Sequence, residues 1–138
     1  MRNLYQGLPT ASGAEQHFEL LSRPGLRIER IVSTGQASPP GFWYDQTQEE
    51  WVLLLQGDAT LAFEDDASPR RLQAGDYIHI AAHRRHRVEA TSALAIWLAV
   101  YYDRRESQRR SEGVPATTGV SPSDGLCESG LGMRAAKT

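Results

Sequence analysis

The chain has a single cysteine, Cys127, in 138 residues. That excludes an internal disulfide and any paired-cysteine zinc site, and it suits a reducing cytoplasm. No apolar run approaches the length a membrane-spanning helix needs. Met1 to Tyr5 is not followed by the apolar stretch of a signal peptide. Charge of one sign is also lacking: the formal net charge is −2 and the pI about 6.1. There is therefore no general basic field to hold nucleic acid or an anionic membrane. The arginines at 104, 105, 109 and 110 are offset by Asp103, Glu106 and Glu112 and read as a solvated segment. Neither a Gly-rich phosphate loop nor a Gly-x-Ser-x-Gly elbow is present. Carboxylate pairs such as Glu49-Glu50 and Asp65-Asp66 are adjacent in sequence. On a strand they face opposite ways, which makes them poor acid–base partners.

Aromatic residues are absent after Asp103, and from Gly113 to Lys137 the chain is rich in Gly, Ser, Thr, Ala and Pro. Such a segment buries too little apolar surface to offset chain entropy. The division expected is a folded domain over 1–103 and a disordered or loosely packed tail over 104–138. The length suits one domain with one hydrophobic core.

Within 1–103, one short helix is expected near the N-terminus. Ala14, His17, Phe18 and Leu21 recur at helical spacing, and Pro24-Gly25 would stop it. His17 then reads as a partly buried helix histidine. The remainder reads as short strands between Gly, Asp and Pro turns: Leu26 to Ser33, Trp51 to Leu55, Ala59 to Phe63, Arg71 to Gln73, Tyr77 to Ile80, Arg87 to Ala90 and Leu94 to Tyr101. That rhythm means an all-β sandwich or barrel. Trp51 to Leu55 is apolar on both faces, so one face would line the barrel and the other needs a cover. The same holds for Leu94 to Tyr101.

The stretch Gly75 to His86 concentrates the chemistry, with His79, His83 and His86 following a Gly-Asp turn. Neutral imidazole is the commonest metal ligand and titrates near neutrality. Glu50 followed by Gly57, and Gly75 followed by Ala81-Ala82-His83 and then His86, resemble the two motifs of the cupin superfamily, small jelly-roll β-barrels. The resemblance covers residues 35–102. Gly41 to Gln46, with Glu50-Trp51-Val52 and Ala82 to Val88, is similar to a subgroup of small single-domain bacterial cupins without an assigned reaction. In the metal-binding members a His-x-His pair precedes the glutamate. Here those positions hold Trp43 and Asp45 in one register, or Tyr44 and Gln46 in the other.

The resemblance implies a cupin barrel holding a divalent metal (Zn, Mn, Fe or Ni) through Glu50 and His86, helped by Asp45, Gln46 or His83. A mixed oxygen and nitrogen donor set does not choose among these metals. Trp43, Tyr44, Val52, Leu54, Tyr77 and His79 are the expected pocket wall. Tyr77 is expected to face inward, while His79, set between Ile78 and Ile80, also reads as a surface strand residue. Isomerase, lyase or oxygenase chemistry on a small polar metabolite is open on this reading. The alternative is a metal-free barrel that binds or senses a sugar or carboxylate, which the loss of both motif histidines favours. A third is a structural dimer with a filled barrel.

A homodimer on the outer apolar face of the strands is expected. Sedimentation at micromolar concentration should give twice the chain mass, and a strictly monomeric mass would count against the shared face.

Overall fold

The computed structural model describes residues 1–10 and 13–104. The tail expected from 104 onward lies, beyond its first residue, outside the described residues. Among the described residues eight strands form: β1 (Gln16–Arg23), β2 (Leu26–Ser33), β3 (Glu49–Gln56), β4 (Asp58–Phe63), β5 (Arg70–Gln73), β6 (Tyr77–Ile80), β7 (His86–Thr91) and β8 (Ala95–Tyr102). All pairings are antiparallel, in a five-stranded sheet ordered β1-β2-β8-β3-β6 and a three-stranded sheet ordered β5-β4-β7. The all-β barrel expected from the turn rhythm is thus what forms.

The expected N-terminal helix does not form; the same residues make β1. The physical reason is a bulge between Glu19 and Leu21. Phe18 pairs with Arg30 and Leu21 with Ile28, so both lie on one face of the sheet although they are three residues apart. A bulge inserts one residue into a period of two, and the resulting spacing imitates a helix. His17 is a strand residue whose side chain is 5% exposed.

The core lies between the two sheets. Ile31, Val52, Leu54, Trp97 and Ala99 from the large sheet pack with Leu61, Phe63, Leu72 and Val88 from the small one. In β3 the alternation is complete: Glu50, Val52 and Leu54 are buried, while Trp51, Leu53 and Leu55 are half-buried on the outer face.

Gly57, in the tight β3–β4 turn, sits at φ +86°. A Cβ there would collide with the Leu94 carbonyl and the Ser92 hydroxyl. Gly75, at φ +98°, has open space around the same position. Left-handed backbone and overpacking each cost on the order of 1–3 kcal/mol. Gly57→Ala should therefore lower the melting temperature by on the order of 10 °C or more. Gly75→Ala, which adds only the backbone strain, should lower it by less than half as much.

Candidate functional site

β3 carries Glu50 as its second residue, on the inner face, where it sits opposite Ile80 of β6 and Tyr101 of β8. β7 begins with His86. The segment before β3 is tied to β7 by one isolated bridge: Tyr44 N–H donates to the His86 carbonyl (2.7 Å) and His86 N–H to the Tyr44 carbonyl (3.2 Å). His83 N–H donates to the Gln46 carbonyl at 2.8 Å. These bonds settle which register of residues 43–46 points inward. Tyr44 and Gln46 are buried; Asp45 is exposed and Trp43 half-buried.

Glu50 and His86 are both wholly buried, with His86 Nε2 3.9 Å from Glu50 Oε1. Gln46 Nε2 donates to Glu50 Oε1 at 3.1 Å. His86 Nδ1 lies 2.9 Å from the Arg84 carbonyl. A carbonyl only accepts, so Nδ1 carries a proton, and the neutral tautomer consistent with that bond has its Nε2 lone pair toward Glu50. Tyr44 and Phe63 flank the imidazole, with ring centroids 5.7 and 6.1 Å away. Burial pushes the Glu50 carboxyl up to about 8. The Gln46 hydrogen bond and the positive charges of Arg27 and His17 pull the other way, and Glu29 adds to the rise. Glu50 is therefore mostly a neutral acid at pH 7.

Two expected ligands lie elsewhere. His83 Nδ1 and Asp45 Oδ1 pair with each other at 2.8 Å, with side chains 61% and 48% exposed. His83 adopts φ +64°, in the left-handed region. Tyr77 does not face inward: it is 66% exposed and packs on Trp51 across the outer surface, ring centroids 5.4 Å apart. His79 is also outside, 2.6 Å from Glu49 Oε1 and stacked on Tyr102. Trp43 lies outward beside the Arg87 guanidinium, 5.9 Å from ring centroid to Cζ. Of the expected wall, Tyr44, Val52 and Leu54 are buried inside.

A second set of polar residues lies on the inner face; of these the sequence singles out His17 alone, and not as a site residue. Glu29 Oε1 is 3.2 Å from His17 Nδ1, and its Oε2 accepts from Arg27 Nε at 3.0 Å. Glu15 lies 3.4 Å from His17 Nε2 and accepts from the Ser33 hydroxyl at 2.5 Å. Trp97 Nε1 donates to the same hydroxyl at 3.1 Å. The signal was the alternation Arg27, Glu29, Ile31, Ser33, which places three polar residues on the buried side of β2.

With this geometry, the cupin domain family matches residues 30–101, just over half of the chain. The chain belongs to the cupin family. A crystal structure from Ralstonia eutropha JMP134, of a protein proposed to be a mannose-6-phosphate isomerase, shares 47% identity with this cupin. The match covers 75% of this chain and 98% of that one, with a TM-score of 0.73. A cupin superfamily protein from Desulfitobacterium hafniense DCB-2 is 17% identical over 70% of this chain and 84% of its own, with a TM-score of 0.60. A conserved protein of unknown function from Streptococcus pyogenes is 20% identical over 76% and 88%, with a TM-score of 0.62. At these identities the last two share the fold alone. No curated protein matches the chain.

Toward a divalent metal, the inner residues offer one imidazole nitrogen, one carboxyl and the Gln46 amide oxygen. Among the described residues no group of three His, Cys, Asp or Glu comes together to hold a metal ion. Catalytic zinc sites use three such protein ligands. The set does not fit a tightly held resident metal.

The raised carboxyl has a consequence for stability. Between the unfolded value of 4.5 and the folded value of about 8, the native state binds one proton more than the unfolded chain. Stability from this group is therefore full below pH 4.5 and falls as pH rises toward 8, by a few kcal/mol in all. Urea melts from pH 5 to 9 should show that decline in the wild type and a flatter profile in Glu50→Gln. The variant should be the more stable of the two at pH 9.

Proposed function

We propose that this cupin binds a small polar metabolite inside its barrel without a resident metal, using Glu50 as a hydrogen-bond donor and His86 as an acceptor. The observation that carries the reading is that Glu50 Oε2 and Gln46 Oε1 are buried and receive no hydrogen bond from the protein. Buried polar atoms are nearly always satisfied, so a donor and acceptor pair left open by the protein in its core is a recognition feature. A neutral carboxyl facing a neutral imidazole can also give a proton at one atom of a ligand and take one at another, the requirement of isomerase-type general acid–base chemistry. The proposed assignment of the Ralstonia relative as a mannose-6-phosphate isomerase supports beginning with sugars and sugar phosphates.

A rival reading, in which Glu50, His86 and Gln46 hold a divalent metal, has one observation in its favour. The Nδ1–H to Arg84 carbonyl bond is the outer-shell support that metal-binding histidines commonly have.

Two further proposals accompany the first. The outer face of the large sheet presents half-buried Trp51, Leu53, Leu98 and Val100 beside exposed Tyr77, which supports a homodimer across that face. Among the described residues no helix is long and apolar enough to cross a membrane, and the single cysteine suits the reducing cytoplasm.

The deciding experiment pairs elemental analysis of tag-free protein with a thermal-shift screen of sugars, sugar phosphates and small carboxylates, run with and without chelator. The expected result is far less than one metal per chain and a stabilising ligand whose effect survives chelation and disappears in Glu50→Gln. About one metal per chain, lost in His86→Ala, would replace this reading with the rival one.

A further inference from the structure

We infer a second ligand site, on the opposite side of the large sheet from Glu50, that takes a carboxylate with a short apolar chain. Arg30, at the middle of β2, points to the outer face and is only 8% exposed. Its Nη1 donates to the carbonyls of Leu4 (3.2 Å) and Gln6 (2.7 Å), and its Nη2 to that of Gly7 (3.3 Å). Cζ lies 4.5 Å from the centroid of the Phe18 ring. All of these partners are neutral. Among the described residues no carboxylate forms an ion pair with Arg30, and its Nε is buried without a hydrogen-bond partner. Arginine stays charged at any physiological pH. Buried arginine is rare unless paired with an anion, because desolvating an isolated charge is costly.

The same residue lines a cavity of about 710 Å³ whose other walls include Met1, Leu4, Phe18 and Leu20. The cavity therefore joins an apolar strip to the polar side chains of Asn3 and Gln6, and holds in its wall a buried cation with no ion-paired counter-charge among the described residues. Glu19 and Arg2 also line it; both are exposed and of opposite sign, so they leave the balance at Arg30 unchanged. An oxyanion beside the guanidinium supplies the missing charge, and an alkyl chain of a few carbons covers Leu4, Phe18 and Leu20. A bare inorganic anion satisfies only the first need, and a neutral apolar molecule only the second. This site is separate from the barrel interior, because Arg30 and Phe18 pair on the face opposite to Ile31 and His17.

The test is a nuclear magnetic resonance titration of the full chain with acetate, butyrate, hexanoate and octanoate, and with inorganic phosphate, following the Arg30 Nε–H signal beside the backbone amides. Hexanoate should move the Arg30, Phe18 and Leu20 signals. Affinity should rise about two- to fourfold for each added CH₂ until the cavity fills. Arg30→Met should weaken binding at least about tenfold. Because that variant also releases the three carbonyls and could unfold, Leu20→Glu provides a second arm: it brings an anion to the cavity while Arg30 stays in place, and should weaken hexanoate binding to a similar degree. The inference is overturned by any of three results: no movement at tens of millimolar carboxylate, equal binding to wild type and a folded Arg30→Met, or phosphate binding as well as hexanoate. Shifts confined to His86 and its neighbours would also overturn it, by assigning the anion to the barrel.

Discussion

Two backbone hydrogen bonds between Tyr44 and His86 decide what meets inside this barrel. They dock an otherwise irregular segment against the first residue of β7. Because successive residues of an extended chain face opposite ways, fixing Tyr44 inward also fixes Gln46 inward and Asp45 outward. The amide that reaches Glu50, the surface pair of Asp45 with His83, and the loss of two expected ligands all follow. A slip of one residue would have exchanged the amide for a carboxylate and built a different site from the same side chains.

The chemistry of the interior is governed by desolvation. Glu50 receives one hydrogen bond, from Gln46, against the full cost of burying a carboxylate, and the proton stays on. Across the sheet, the row Arg27, Tyr101, Glu50 links the site to the polar cluster of Glu29 and His17. There the carboxylate of Glu29 has an arginine and a histidine beside it. Arg27 also stacks over Tyr101, with Cζ 4.3 Å from the ring centroid. One interior thus contains a proton-holding acid at one end and an ion-paired network at the other, the separation of environments by which acid and base roles are set apart.

The outer face of the same sheet is apolar over β3 and β8, and over β2 it is interrupted by Arg30. The first residues of the chain lie over that arginine and give it carbonyls in place of a counter-charge. The two faces of one sheet therefore pose opposite electrostatic problems. Inside, a carboxyl with a single hydrogen bond keeps its proton; outside, a guanidinium without an ion-paired anion keeps its charge.

The strand pattern was legible because alternation and turn residues are local properties. Leu26 to Ser33 and Tyr77 to Ile80 appear with the bounds the sequence suggests, β3, β4, β5 and β7 each contain the stretch expected of them, and β8 is displaced by one residue from the expected Leu94 to Tyr101. β1 was misread because a bulge is a property of two paired strands, and one strand alone shows only its altered spacing. Glu50 and His86 were legible as motif residues, but their partner was not. Asp45, Gln46 and His83 are equally good donors on paper, and the hydrogen bonds that sort them span some forty residues of chain. Likewise Arg30 reads as an ordinary charge in a strand, until the fold lays neutral carbonyls over it and no carboxylate. By itself, then, the sequence determined the class of fold and the two central residues, through periodicity and motif spacing. Only the tertiary structure decided which groups those residues face, because register and burial are set by distant segments packing together.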